Sequence, residues 1–117
     1  MKIIIAGGRD FVPTQAHWTL LDDLRKTVQW DEVVSGGARG ADRFGELWGR
    51  SRGIHVRVFP ADWERYGRRA GPLRNIQMAE YADGVVLFPG GTGTAHMART
   101  AASYRLRIWD YRNENVA

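Results

Sequence analysis

The 117-residue chain contains no cysteine, which removes disulfides, thiolate nucleophiles and cysteine-ligated metals from consideration at once. Lysine is almost missing too. Lys2 and Lys26 are the only two, so nearly all of the 17 Lys and Arg residues are arginine. Long apolar runs are also absent. The stretch Ile3-Ile4-Ile5-Ala6 is far too short for a signal peptide or a membrane span, so a cytoplasmic protein with no membrane partner is expected. No set of histidines and carboxylates has metal-ligand spacing, so no metal is expected. Nor is there a G-x-x-x-x-G-K-S/T segment or a G-x-G-x-x-G after a strand, and Ser35-Gly36 replace the acid that would close a dinucleotide site.

Enough is present for a packed core. Hydrophobic residues make up 44% of the chain, with five tryptophans, and the length suits one domain spanning residues 1–117. The net charge is +4. An arginine excess reflects either compositional bias or the fit of the planar guanidinium fork to phosphate, and position has to decide between them.

Short β-like runs alternate with amphipathic helical spacing. The runs are Ile3 to Ala6, Val33-Val34, Val56 to Phe59, Val85 to Phe88 and Leu106 to Trp109. Between them Trp18, Leu21, Leu24 and Val28 recur at helical spacing, as do Phe44, Leu47, Trp48 and Ser51, with Gly53 as a stop. Pro72 suits the first turn of a third helix, and Thr94 is the expected N-cap of a fourth carrying Met97, Ala98, Ala101 and Ala102. The segment from Pro60 to Gly71 reads as one long irregular loop. The pattern predicts an α/β fold of three layers, with a mostly parallel five-stranded sheet in the order 3-2-1-4-5.

Ligands bind such sheets at the C-terminal strand ends, where strand order reverses. Three strands end in glycine-rich turns: Gly7-Gly8-Arg9-Asp10, then Ser35-Gly36-Gly37-Ala38-Arg39-Gly40-Ala41-Asp42, then Pro89-Gly90-Gly91-Thr92-Gly93-Thr94. Glycine lets backbone amides approach an oxyanion, and a helix that follows adds its free N–H groups. The first and third turns are expected to face each other across the crevice. Arg9, Arg39 and Arg43 flank the first two turns, and Arg65, Arg68, Arg69 and Arg74 lie in or just after the long loop. Arg74-Asn75, at the start of a helix, is the pair expected to point inward. Asp10, Asp42 and Asp62 each either cap a helix or hold an arginine in place, or else contact ribose hydroxyls or a metal. Trp63 and Tyr66 either stack on a base or anchor the loop. His17 and His55 have no context that singles them out; His96 lies in the first turn of the last helix.

In this order the motifs M-K-I-I-I-A-G-G-R-D-F, V-S-G-G-A-R-G-A-D-R, F-P-A-D-W-x-x-x-G-x-x-A-G-P-x-R-N and F-P-G-G-T-G-T-A-H-M resemble the YspA-like, cpYpsA-related branch of the SLOG superfamily, from residue 1 to about Trp109. The resemblance implies a Rossmann-like fold and a nucleotide or nucleotide-derived ligand, with no other cofactor. It also implies distant kinship with LOG-type phosphoribohydrolases, the DNA-processing protein DprA and molybdenum-cofactor carriers. Related domains often dimerise, which admits a homo-oligomer. LOG-type enzymes carry P-G-G-x-G-T-x-x-E, and the glutamate position here is Met97. A thioether neither accepts a proton usefully nor stabilises an oxocarbenium ion.

The expectation is therefore a binding or sensing module, with Gly90 to Thr94 cradling phosphate. Two alternatives stay open. One is a nucleoside-monophosphate N-glycosidic or phosphoester hydrolase in which Asp10, Asp62 or His96 replaces the glutamate. The other is a single-stranded nucleic-acid binder.

Overall fold

The computed structural model describes residues 1–113. Five strands form one wholly parallel sheet: β1 (Lys2–Ala6), β2 (Glu32–Ser35), β3 (His55–Val58), β4 (Gly84–Leu87) and β5 (Arg107–Asp110). Their order is β3-β2-β1-β4-β5, with Ile4 opposite Val34 on one side and Val85 on the other. Each strand lies within one residue of its expected place.

Period-2 alternation sorts the strand residues between two cores. Ile3, Ile5, Val33, Val86 and Phe88 face α1 (Gln15–Thr27) and α2 (Ala41–Ser51), where Leu21, Phe44 and Trp48 close the layer. Ile4, Ala6, Val34, Val85 and Leu87 face the opposite layer, where Met78, Ala79, Met97 and Ala101 come from the last two long helices. The central strands β1 and β4 are buried almost throughout, and the edge strands β3 and β5 are largely exposed.

Two local expectations are corrected, and Pro72 falls in the first turn of its helix as expected. The segment 60–71 is mostly helical: α3 (Trp63–Tyr66), a 3-10 turn (Gly67–Arg69) and the start of α4 (Ala70–Tyr81). Four residues are too few to show a period, and the local signal was Asp62, whose carboxylate accepts the Arg65 N–H at 3.1 Å. Pro72 is the third residue of α4, where a missing N–H costs nothing. The last helix, α5, runs Thr92–Ser103 with Gly91 as its N-cap, so Thr94 lies inside the first turn. Among the described residues no helix is long and apolar enough to cross a membrane.

Candidate functional site

The turns after the two central strands meet. Gly8 donates its N–H to the Pro89 carbonyl at 2.8 Å, and its own carbonyl accepts the Ala41 N–H, the first amide of α2, at 3.1 Å. A Cβ on Gly90 would stand 2.6 Å from the Gly8 nitrogen. One on Gly40, whose φ is +77°, would come within 2.6 Å of the Arg9 carbonyl oxygen. These glycines let three turns close on one another at that point, and beyond it Gly7, Gly8 and Arg9 of the first turn face Gly91 to Thr94 of the third across a cavity, as expected.

Past Gly90 the third turn opens. The amides of Thr92, Gly93 and Thr94 head α5 and find no acceptor among the described residues, as the first turn of any helix requires of its surroundings. A Cβ on Gly91 or Gly93 would meet nothing within 4 Å. These amides border a cavity of about 560 Å³, whose other walls are the β1 turn, Asp42, Trp63 and the start of α4. Arg9, Arg68 and Arg74 line it, with Asp42 as the one carboxylate among the described residues.

Arg74 reaches from α4 to the second glycine turn, donating from Nη1 to the Gly36 carbonyl at 2.6 Å. A Cβ on Gly36 would lie 2.6 Å from Arg74 Nη1 and 2.8 Å from Asp42 Oδ2. The bare backbone at position 36 is what lets the guanidinium and the carboxylate converge. Asp42 is only 8% exposed, and its Oδ2 accepts the Ala38 N–H at 3.2 Å. Burial pushes its carboxyl up to about 6, a rise that Glu46 adds to and that the Ala38 amide, Arg74 and Arg9 oppose. The same burial lowers the Arg74 guanidinium.

A hydrogen-bond chain then sets the state of His96. Arg74 Nε only donates, so the side-chain oxygen of Asn75 faces it, at 3.2 Å. The Asn75 amide nitrogen is thereby aimed at the Gly93 carbonyl, at 3.3 Å, and at His96 Nδ1, at 3.1 Å. Since that nitrogen donates, Nδ1 accepts, and the proton of the neutral ring sits on Nε2. Burial, then the Arg99 charge, lowers the His96 pKa and favours the neutral ring.

A second cavity of about 520 Å³ adjoins the first and shares Arg9, Ala38, Trp63 and Arg74 with it. Beyond that shared wall lie Gly36, Gly37, Arg39, Val58, Pro60 and Ala61.

Of the residues singled out in the sequence, Gly7, Gly8, Arg9, Asp42, Trp63, Arg74, Asn75, Gly91, Thr92, Gly93, Thr94 and His96 line the larger cavity. Gly36, Gly37 and Arg39 line only the smaller. Pro89 and Gly90 line neither and serve the contact with Gly8. Asp10 is exposed and pairs with Arg39 at 3.3 Å, and Asp62 is exposed and caps α3, so neither carboxylate borders a cavity. Arg43, Arg65, Arg69 and Tyr66 are also outside both linings. His17 is buried, its Nδ1 accepting the Thr14 N–H at 2.8 Å, and His55 is exposed beside Glu32. Sequence reasoning missed Ala38, Met78, Val58 and Ala61 as wall residues, for small apolar side chains carry no chemical signal. Buried Glu46 was missed as well. It lines neither cavity and accepts from Ser35 Oγ at 2.7 Å, joining α2 to β2.

A family model, described as the YspA, cpYpsA-related SLOG family, matches residues 1–66. The chain belongs to this SLOG family. The matched segment carries the first two glycine turns, while α4 and α5 lie beyond it. A gene 61 protein of Mycobacterium phage D29 is 38% identical over 109 residues, covering 86% of this chain and 87% of the phage protein. The X-ray structure of TM1055, a structural-genomics target, is similar with a TM-score of 0.70 at 21% identity, over 92% of this chain and 71% of that one. That likeness is one of fold, and the SLOG fold here is Rossmann-like. SLOG membership points to a nucleotide-related ligand, bound or processed.

Proposed function

We propose that this SLOG domain binds a phosphate-bearing nucleotide or nucleotide-derived ligand at the C-terminal edge of its sheet. The observation that carries the reading is the set of three unpartnered amides, Thr92 to Thr94, opening onto a cavity with three arginines and a single carboxylate. Helix-terminal amides and dipole favour an anion there. Arg74 has donors left after its bonds to Gly36 and Asn75, in a planar fork suited to phosphate oxygens. Exposed Trp63 offers a ring face to a base or sugar. A free nucleotide pool accords with a cytoplasmic location.

The reading favours binding over hydrolysis. Met97, 1% exposed, stands on the cavity wall where LOG-type hydrolases carry their glutamate. It supplies neither a proton acceptor nor a negative charge, and such acid-base help is worth about a hundredfold to ten-thousandfold. Among the described residues Asp42 and His96 are the cavity's only carboxylate and imidazole, so any processing chemistry would fall to them. The test combines titration calorimetry of adenosine, guanosine, cytidine and uridine monophosphates with chromatography for free base. Binding that inorganic phosphate competes away, without base release, is the expected outcome. Turnover of any of the four would replace the binding reading by a hydrolase centred on Asp42 and His96.

A further inference from the structure

The larger cavity does not end at the phosphate-binding turn. Its far wall, made by Arg9, Ala38, Trp63 and Arg74, is also the near wall of the second cavity. Either space alone falls in the range that holds a drug-sized ligand, so a mononucleotide seated on Thr92 to Thr94 leaves the second space empty. The shared wall is not neutral: two of its four members are arginines. The Arg9 guanidinium lies 5.8 Å from the centre of the Trp63 ring, and Arg74 is anchored by Gly36 on the second-cavity side and by Asn75 on the first. Beyond the wall the surroundings change. Val58, Pro60 and Ala61 give an apolar side, Gly36-Gly37 a floor without side chains, and Arg39 a cationic rim.

From this geometry we infer that the ligand has two lobes: a nucleotide whose phosphate bridge continues into a second cyclic group, with the bridge between Arg9 and Arg74 and the second ring in the Val58–Ala61 cavity. The inference rests on the phosphate site proposed above and adds the class of ligand. Charge supports the bridge. Across both cavities Arg9, Arg68 and Arg74 stand against Asp42, the one lining carboxylate among the described residues, while Arg39 is paired with Asp10. A diphosphate places one phosphate at the α5 amides and the second at the shared-wall arginines, whereas one terminal phosphate serves only one of the two. The mode of recognition differs from that of a conventional dinucleotide site. No acid at the end of β2 holds a ribose diol, and the second lobe is held by an apolar wall and an arginine rim.

The experiment compares adenosine monophosphate, adenosine diphosphate and diadenosine diphosphate by titration calorimetry on the full chain, with an oligothymidylate as a further arm. Diadenosine diphosphate should bind about tenfold or more tighter than adenosine diphosphate, the scale of one added ring contact. Ala61→Trp and, independently, Val58→Trp fill the second cavity and leave the first untouched. Each should abolish that preference and leave adenosine monophosphate affinity unchanged. Equal affinities for the two diphosphates in the unmodified chain, or a preference that survives both substitutions, overturn the two-lobed ligand while leaving the phosphate site intact. Loss of all nucleotide binding overturns the phosphate site and this inference together. Tighter binding of oligothymidylate than of any nucleotide, with steep salt dependence, replaces the two-lobed small molecule by a nucleic-acid strand.

Discussion

Gly90 and Gly91 are neighbours in one sequence turn, and they serve opposite purposes. At Gly90 the missing side chain is a packing device: a Cβ would press on the Gly8 nitrogen 2.6 Å away, at the point where the β1 and β4 turns are joined by the Gly8–Pro89 bond. At Gly91 the missing side chain leaves open space, and the amides just beyond it remain unsatisfied. The same contrast separates the first and third turns as wholes. Gly8 spends its N–H and C=O on the protein, so the β1 turn is structural wall. The start of α5 keeps its donors for something else. A glycine-rich turn in an α/β domain is thus not one kind of object, and what separates the two kinds is whether the backbone donors are already used.

Substitution at the two adjacent glycines tests this directly. Gly90→Val should be the most damaging change, since its Cβ meets backbone that cannot move aside. A loss of about 3 kcal/mol or more in urea-unfolding stability is expected. Gly91→Val should keep the fold, by far-UV circular dichroism and urea midpoint, yet cut nucleoside monophosphate affinity by about a hundredfold through blocking helix-end amides. Should the two variants behave alike, the division of the turn fails.

Arg74 sharpens the comparison from the cavity side. Arg74→Ala should weaken monophosphate binding by roughly 1.5–3 kcal/mol in calorimetry, with Arg74→Lys recovering only part because lysine lacks the fork. Exposed Arg25 on α1, which lines neither cavity, is the control, and Arg25→Ala should be silent. An Arg25 effect equal to that of Arg74 would mean a diffuse positive field rather than a located contact.

The smallest effect concerns the carboxylate beside Arg74. Asp42 titrates near 6 in the fold, above its ordinary value of 3.8, so the folded state prefers the protonated form. Its contribution to stability therefore falls as pH rises from about 4 through 6, opposite to a salt-bridged aspartate. Asp42→Asn should remove that slope and stabilise the unliganded protein by roughly 1–2 kcal/mol above this range, with little change below it. Unfolding midpoints on either side of the window measure it. A variant less stable at neutral pH would show that the Arg74 charge, not burial, dominates at Asp42.

Much of the architecture was legible because its signals are local and repeated. Continuous apolar runs in β1 and β4 demand a sheet covered on both faces, and helical spacing between runs supplies the covering layers. The strand order follows from those elements, and many of the glycines and arginines picked out at the strand ends line the two cavities. The start of α5 was misplaced by three residues because Gly91 caps it with backbone alone, whereas Thr94 advertised a side-chain cap it does not make. The short α3 was unreadable by periodicity, although its cap at Asp62 was in plain view.

Residue types and their spacing, then, determined the layers, the strand order and which sheet edge gathers the glycine-rich turns and arginines, for these depend on patterns a few residues long. Tertiary structure alone decided which candidate groups share a cavity. Asp10, Asp42 and Asp62 are equivalent in sequence, each an aspartate following a strand, yet only Asp42 is buried against Arg74 over the bare backbone of Gly36. Asp10 goes to an exposed pair with Arg39 and Asp62 to a helix cap. Likewise the Nε2 proton of His96 is set through Asn75 by an arginine 22 positions away in the chain (96 − 74). Burial and hydrogen-bond partners are properties of long-range packing, and no spacing along one strand or helix encodes them.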